Sequence, residues 1–190
     1  MDYRLNTKEG SVKTLYLIGA PGSGKTTLMA ELMKDWILLS RDTKPVKHSW
    51  YESPYGIALE LGHPRAPFGG TDTLSYTAIK TLELWLPHLL KVDLLVGEGD
   101  RLANNRFLDL CKTLGPTHLY YLDATEELLQ ERRGSRATQH DLPTQSPQWA
   151  KGRLTKHRNL AQQQHATTLN SNENVSSLAL TIHTHLNAHT

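Results

Sequence analysis

The sequence predicts an α/β fold with three layers, in which helices flank an open parallel sheet of about five strands. Short apolar segments rich in β-forming residues alternate with segments whose apolar residues recur at helical spacing. A Gly-rich turn, residues 19–27, joins the first apolar segment directly to the first helical one. No linker-like stretch divides the 190 residues, so we expect one domain over residues 1–190.

Strands are predicted where short apolar runs are bounded by turn residues. In chain order these runs are residues 14–18, 48–51, 56–61, 92–96, 117–122 and 166–169. The second and third surround the turn signal Ser53-Pro54-Tyr55-Gly56. Residues 36–39 are also apolar and fit either a further strand or the end of the first helix.

Helices are predicted where apolar residues recur every three or four positions. These segments are residues 28–35, 74–86, 104–114, 125–133, 148–164 and 174–186. Thr71 or Asp72 is the expected cap of the second helix, and Pro87 kinks or ends it. The stretches 62–70 and 134–147 lack this periodicity and predict loops.

Composition excludes several classes of protein. Cys111 is the only cysteine, so neither a disulfide framework nor a zinc site built on thiolates is expected. No run approaches 18 apolar residues, and the first residues lack the apolar core of a secretory signal. We therefore expect no membrane association and a reducing, cytoplasmic compartment.

The positive charge is concentrated in one segment. The formal net charge is only +2, but residues 131–158 hold seven Lys or Arg against two acids. Such a segment is either a solvated helix face or a surface for an anionic partner.

Residues 19–27 match the phosphate-binding loop pattern G-x4-G-K-[ST] in full. Glycines let backbone N–H groups surround a phosphate, and the following helix adds the positive end of its dipole. Lys25 is expected to reach the β- and γ-phosphates, and the Thr26 hydroxyl to bind Mg²⁺. The alternative is an ordinary Gly-rich turn. The predicted nucleotide-binding residues of the loop are Gly19, Ala20, Pro21, Gly22, Ser23, Gly24, Lys25, Thr26 and Thr27.

The rest of the chain favours a kinase among proteins with this loop. No Asn-Lys-x-Asp guanine-reading segment is present, and the chain is short for a motor ATPase. Kinases exclude water from the γ-phosphate and stabilise its charge, which an arginine-bearing lid achieves. Arg132, Arg133 and Arg136 lie at and just after the end of the helix that follows the predicted strand 117–122, where such a lid is expected. The alternative is surface arginines at the end of a helix.

Acidic residues follow the strand expected beside the phosphate-loop strand. Glu98 and Asp100 lie at its carboxyl end, where open α/β sheets bind ligands. Either carboxylate is suited to orient Mg²⁺ or to accept the proton of an attacking hydroxyl. Arg101 is a candidate partner for a phosphate or carboxylate. Asp100 has a simpler alternative as the cap of the next helix.

Asp72 has two interpretations. It follows Gly69-Gly70 at the start of a predicted helix, so it is either a helix cap or a carboxylate at the acceptor site. In the preceding loop His63, Arg65 and Phe68 are candidate acceptor contacts, with Phe68 placed to stack on a base. The histidines elsewhere show no metal-ligand spacing and are expected at the surface.

Three further segments carry a resemblance to a known family. They are residues 61–75 (LGHPRAPFGGTDTLS), residues 98–104 (EGDRLAN), and GRLTK at 152–156 with Asn159-Leu160. With the phosphate loop, they resemble a group of bacteriophage P-loop kinases that includes the 5-hydroxymethyluracil DNA kinases. Those enzymes phosphorylate the hydroxymethyl group of the base in phage DNA, on the way to hypermodified thymidines. The resemblance covers most of residues 14–160.

The resemblance implies a P-loop kinase fold, ATP and Mg²⁺ as cofactors, DNA as partner, and the host-cell cytoplasm as location. It implies that ATP and Mg²⁺ bind to Gly22, Gly24, Lys25, Thr26 and Thr27. It implies that the acceptor or the metal contacts Asp72, Glu98, Asp100 and Arg101. It also implies that Arg153 and Lys156, with the arginines from 132 to 136, close over phosphate or bind the DNA strand.

Two alternatives stay open at this point. The first is a deoxynucleoside monophosphate kinase similar to thymidylate kinase, in which residues 98–101 serve the acceptor phosphate. The second is a non-catalytic module that binds a nucleoside triphosphate. Residues after 160 carry no motif that separates these alternatives.

Overall fold

The computed structural model describes residues 11–63, 69–140 and 146–188. The strands of this part are β1 Lys13–Ile18, β2 Ile37–Asp42, β3 His48–Ser53, β4 Gly56–Leu61, β5 Leu94–Glu98, β6 Thr117–Asp123 and β7 Thr167–Asn170. Its helices are α1 Lys25–Leu32, α2 Ala78–Trp85, α3 Asn105–Leu114, α4 Glu126–His140, α5 Pro147–Gln163 and α6 Val175–Ala188. Short 3-10 turns occupy Gly70–Thr73 and Leu86–His88.

One sheet runs through the described residues in the order β2-β3-β4-β5-β1-β6-β7. Neighbouring strands pair in parallel along the part of the sheet with the order β4-β5-β1-β6-β7. At the β4 edge, β3 and then β2 add antiparallel pairs. The predicted α/β fold is confirmed, but the expected number of about five strands is wrong, because the sheet has seven. The parallel part alone has five, and the turn at Gly56 adds β3 to its edge. Of residues 36–39, Trp36 precedes β2 and the other three enter it, because α1 ends at Leu32 and the chain then pairs with β3.

Helices cover both faces of the sheet. Leu15 and Leu17 of β1 contribute to the core that α1 and α6 close, whereas Tyr16 and Ile18 contribute to the core that α2, α3 and α5 close. Because both faces of β1 are buried, its sequence is a continuous apolar run instead of an alternating one. The three-layer prediction is therefore confirmed.

Helix α4 is longer than predicted. The loop expected from residue 134 is wrong as far as His140, because α4 continues through Gly134. A side chain at Gly134 would meet no atom within 4 Å, so nothing packs against this position. A glycine inside a helix costs only about 1 kcal/mol relative to alanine, which the rest of the helix can offset.

The second helix also begins differently from its prediction. Residues Gly70–Thr73 form a 3-10 turn, and α2 begins at Ala78 without a side-chain cap. Thr71 is buried and donates a hydrogen bond to the carbonyl oxygen of Glu98 at 2.9 Å. Neither Thr71 nor Asp72 is therefore the cap of α2. The 3-10 turn instead holds these two residues against the end of β5.

Glu60 is a buried carboxyl group on β4, 5% exposed, that accepts a hydrogen bond from the Tyr51 hydroxyl at 2.9 Å. Burial raises the pKa of Glu60 from 4.5 to about 7, and the nearby Glu98 carboxylate adds to the rise. The folded protein therefore binds this proton more tightly than the unfolded chain does. The free energy of unfolding should fall by roughly 3 kcal/mol as the pH rises from about 4.5 to about 7.

Glu60→Gln tests this expectation, since an uncharged amide of similar size keeps an acceptor for Tyr51. We expect urea unfolding between pH 4.5 and pH 8 to show a smaller decline in stability for Glu60→Gln than for the wild type. The difference between the two curves isolates Glu60 from every other titrating group. Parallel curves would show that Glu60 ionises in the folded protein as it does in the unfolded chain.

Across the described ranges, we find no helix with the length and apolar content needed to cross a membrane.

Candidate functional site

A cavity of about 830 Å³ opens at the carboxyl ends of β1 and β5. Ligands bind at this edge in open α/β sheets, because the loops after neighbouring parallel strands meet there. The structure brings together at this cavity most residues predicted from the sequence, namely Gly19, Pro21, Gly22, Ser23, Gly24, Lys25, Thr26, Thr27, Asp72, Glu98, Asp100, Arg101, Arg132, Arg153 and Lys156.

Other predicted residues lie elsewhere. Ala20 is buried within the phosphate loop, and Arg133 donates to the carbonyl oxygen of Pro21 at 3.3 Å. Arg136 belongs to α4, but its side chain lies outside the described part of the structure. Arg65 and Phe68 lie wholly outside it, so their predicted roles stay predictions.

The phosphate loop needs glycine at two positions. Gly22 and Gly24 both have φ of +92°, in the left-handed region that favours glycine. A side chain at Gly22 would come within 2.9 Å of the Leu129 carbonyl oxygen, so the loop packs closely on α4. The Lys25 ammonium donates to the carbonyl oxygens of Gly19 at 2.8 Å and Ala20 at 3.2 Å. It is therefore held at the mouth of the loop.

Thr26 and Glu98 meet across the gap between α1 and β5. The Thr26 hydroxyl donates to Oε1 of Glu98 at 2.9 Å, and Glu98 is only 4% exposed. A side chain at Gly70 would come within 2.7 Å of the same Oε1, so the 3-10 turn packs directly on this carboxylate. A hydroxyl beside a carboxylate offers the oxygen ligands that Mg²⁺ prefers. Within the described ranges no group of three or more His, Cys, Asp or Glu forms a metal cage.

Asp72 reaches the loop that follows β5. Its Oδ1 accepts hydrogen bonds from the backbone N–H groups of Asp100 at 2.9 Å and Arg101 at 3.0 Å. Asp72 therefore fixes the position of the two residues whose side chains line the cavity beside it.

Asp100 is the centre of an ion-pair network with α5. Arg153 contacts Oδ2 at 2.5 Å, while Lys156 and His157 contact Oδ1 at 2.8 and 2.9 Å. Burial alone would raise the pKa of Asp100, but the bonds from His157 and Lys156 outweigh it and hold that pKa well below its usual range. Asp100 is not the cap of α3, because Asn104 takes that role by accepting from the Phe107 N–H. The network holds α5 against the carboxyl end of β5.

His157 joins the phosphate loop to this network. It is fully buried, and its Nδ1 accepts the N–H of Gly19 at 3.3 Å. Because Nδ1 is an acceptor, the ring proton is on Nε2, which faces Asp100. Burial lowers the pKa of His157 and favours this neutral form. The expectation of surface histidines is wrong for His157 and for His48, which is also buried.

Arg132 ties α4 to the last strand and the phosphate loop. Its guanidinium donates to Oγ of Ser171 at 2.6 Å and to the Ser171 carbonyl oxygen at 3.1 Å. The Ser171 hydroxyl in turn donates to the carbonyl oxygen of Ser23 at 2.6 Å. The predicted lid residue thus lies beside the loop it was expected to cover.

Several residues that line the cavity were not predicted. They are Gly69, Tyr76, Trp149, His157, Ser171, Glu173, Val175 and Leu178, with Leu28 and Leu122 in the inner wall. Most are single ordinary residues at the ends of strands and helices, where the sequence alone carries no signal. Trp149 carried a weak signal, since it is a large aromatic residue in the first turn of a mostly polar helix.

The phosphate loop joins the first strand of the parallel sheet to the first helix, and a carboxylate lies at the end of the adjacent strand. This arrangement defines a P-loop protein. The chain belongs to the P-loop nucleotide kinases, because the family model described as P-loop Nucleotide Kinase3 matches residues 11–178. The protein is accordingly a nucleotide-binding kinase by family.

Solved structures agree with this fold. A sugar kinase from Janibacter sp. HTCC2649 matches with a TM-score of 0.52 and 12% identity over 93% of this chain and 95% of its own. A gluconokinase from Sinorhizobium meliloti 1021 matches with a TM-score of 0.50 and 11% identity over 90% of this chain and 89% of its own. At such low identity these likenesses bear on the fold alone. None of the curated proteins matches the chain in sequence.

Proposed function

We propose that this protein transfers the γ-phosphoryl group of ATP to a hydroxyl group of an acceptor. The observation that carries the proposal is the Thr26–Glu98 hydrogen bond of 2.9 Å beside the phosphate loop. In this assignment the loop binds the triphosphate, Lys25 contacts the β- and γ-phosphates, and Thr26 and Glu98 hold Mg²⁺. The metal neutralises charge on the phosphate oxygens when it is bound.

The transfer forms a bond between the acceptor oxygen and the γ-phosphorus and breaks the bond from that phosphorus to the bridging oxygen, so ADP leaves. We assign Asp72 as the residue that accepts the hydroxyl proton, because it lines the cavity next to Arg101. Arg101 is then the contact for the acceptor. We assign two sets of basic residues to close over the phosphates: Arg132, Arg133 and Arg136 of α4, and Arg153 and Lys156 of α5.

The network at Asp100 favours a positioning role for this carboxylate. Both of its oxygens already contact basic groups of α5, whereas Glu98 faces the Thr26 hydroxyl. We therefore assign Mg²⁺ to Glu98, with Asp100 holding Arg153 and Lys156 at the cavity.

We propose the hydroxymethyl group of 5-hydroxymethyluracil in DNA as the acceptor. The three segments that carry the resemblance to the phage DNA kinases all contribute to this one cavity, through Asp72, through Asp100 with Arg101, and through Arg153 with Lys156. The basic residues of α4 and α5 are suited to contact a nucleic-acid backbone. A duplex hides the base, so the target nucleotide must be approached from the groove or extruded.

A panel of acceptors with labelled ATP tests this assignment. The arms are hydroxymethyluracil DNA, thymine DNA, each deoxynucleoside monophosphate, and gluconate as an acceptor without a base. Label in hydroxymethyluracil DNA alone supports the proposal. Label in a monophosphate alone replaces it with a nucleoside monophosphate kinase, and ATP binding with no labelled acceptor in any arm favours a non-catalytic module.

Glu98→Gln should raise the Mg²⁺ concentration needed for half-maximal activity. The amide keeps an oxygen for the Thr26 hydroxyl but loses the charge that attracts the metal, so high Mg²⁺ or Mn²⁺ should restore part of the activity. Activity measured against Mg²⁺ concentration tests this, with Glu83→Gln on the outer face of α2 as a control. Asp100→Asn should leave the Mg²⁺ requirement unchanged, and a raised requirement in that variant alone would move the metal to Asp100.

A further inference from the structure

Two aromatic side chains at the cavity are more exposed than is usual for their size. Tyr76, just before α2, is 88% exposed, and Trp149, in the first turn of α5, is 40% exposed. The other large apolar side chains exposed in residues 11–63, 69–140 and 146–188 lie away from this cavity. Exposed aromatic surface is unfavourable in water, and it becomes favourable when a ligand covers it.

An arginine accompanies each of the two rings. The Arg101 guanidinium carbon lies 3.6 Å from the centre of the Tyr76 ring, and that of Arg153 lies 5.5 Å from the centre of the Trp149 ring. Cation–π contacts of this kind fix the orientation of a ring while they use only part of its surface. Both rings are thus oriented, Tyr76 is largely uncovered, and Trp149 keeps two fifths of its surface exposed.

The two arginines are connected through Asp100. Arg153 contacts the carboxylate of Asp100, and Arg101 is the next residue. The Arg101 guanidinium has the largest effect in lowering the pKa of the Tyr76 hydroxyl, and the charge of Arg153 lowers it further. Arg153, which lies beside Trp149, therefore also acts on Tyr76. Tyr76 and Trp149 therefore flank the same short segment after β5.

This segment lies on the β5 side of the phosphate loop. In the sheet β5 and β7 stand on opposite sides of β1, which carries the loop. The cavity wall on the β7 side contains Glu173 and Val175, whereas Tyr76 and Trp149 belong to the β5 side with Asp72. A donor whose phosphates lie on the loop and whose base extends toward β7 leaves the β5 side for the acceptor.

We propose that Tyr76 and Trp149 form a stacking subsite for the planar base of the acceptor. The inference rests on the proposed function and specifies its substrate class, an acceptor that presents an unstacked nucleobase. An open-chain sugar acid such as gluconate has no planar π surface to stack face to face on these rings. For an acceptor in DNA, the subsite binds the extruded base and offsets part of the cost of unstacking it.

Acceptor kinetics test the subsite. Tyr76→Ala and Trp149→Ala should each raise the KM for a hydroxymethyluracil oligonucleotide roughly 10- to 100-fold, the usual loss for a stacked aromatic contact. The KM for ATP should stay within a few-fold of the wild type. Tyr76→Phe and Trp149→Phe keep a ring and should restore most of the affinity, and Leu84→Ala controls for loss of an exposed apolar side chain outside the cavity. An unchanged acceptor KM in the Ala variants, or an equal rise in the KM for ATP, would overturn the proposal.

A binding measurement separates the subsite from catalysis. Stacking on Trp149 should quench its fluorescence, so we compare Lys25→Ala protein with the same protein carrying Trp149→Phe, in the absence of ATP. The hydroxymethyluracil oligonucleotide and thymidine monophosphate should quench, gluconate should not, and Trp149→Phe should remove the effect. Quenching in the Lys25→Ala protein, together with no phosphate transfer by the wild type to any acceptor, would keep the subsite and refute the proposed transfer. Transfer by the wild type without quenching in the Lys25→Ala protein, or equal quenching of the wild type by ATP alone, would refute the acceptor subsite and leave the proposed transfer intact.

Discussion

Lys25→Ala is expected to lower phosphoryl transfer by roughly 100-fold or more while the protein stays folded. The ammonium is held by two carbonyl oxygens of the phosphate loop, where it is placed to stabilise charge on the transferring group. The side chain lines the cavity and belongs to neither hydrophobic core. Steady-state kinetics with the best acceptor of the panel, together with thermal unfolding, measure the two effects separately.

Lys34→Ala is the matched control, because Lys34 is an exposed lysine near the end of α1 that pairs with Glu31. It should leave turnover unchanged, since exposed ion pairs contribute little. Turnover by Lys25→Ala within a few-fold of the wild type would refute the assignment of the phosphate loop. A large drop in its unfolding temperature would instead show that the lysine stabilises the loop itself.

Asp72→Asn is expected to lower kcat by roughly 10²- to 10⁴-fold while ATP binding persists, the usual range for loss of a general base. The effect falls toward the lower end if the transition state is loose, because the attacking hydroxyl then keeps most of its proton. The amide retains an oxygen at the position that accepts the N–H groups of Asp100 and Arg101. The substitution therefore removes the proton acceptor and preserves the loop.

Asp72→Ala completes the comparison, because it removes both the base and the loop contacts. If Asp72 only positions the loop, Asp72→Asn should turn over almost normally and Asp72→Ala should fail. If Asp72 accepts the proton, both variants should fail in kcat.

The features best predicted from the sequence are those whose residues are consecutive in the chain. The phosphate loop, its strand and its helix are consecutive, so residues 14–32 contain nearly all the information that shapes them. The carboxylate of Glu98 was predictable because parallel strands end at one edge of the sheet. Local patterns were thus enough to predict residues that lie together at one cavity.

Contacts between distant segments were not predictable. Asp100 meets Lys156 across 56 positions of the chain, and Gly19 meets His157 across 138. A carboxylate after a strand looks the same in sequence whether it binds metal or an arginine from a later helix. The length of α4 was missed for a related reason, since a glycine inside a helix is tolerated where nothing packs against it.

The phosphate loop is translated early, but its surroundings are translated late. Pro21 contacts Arg133, Gly19 contacts His157, and the Ser23 carbonyl accepts from Ser171, which lies 148 positions downstream. A nascent chain on the ribosome therefore carries a recognisable phosphate-binding motif long before the groups that support it exist. Nucleotide binding should mature only after β7 has emerged, so synthesis that stops between α4 and β7 leaves an intact motif in a chain without a finished site.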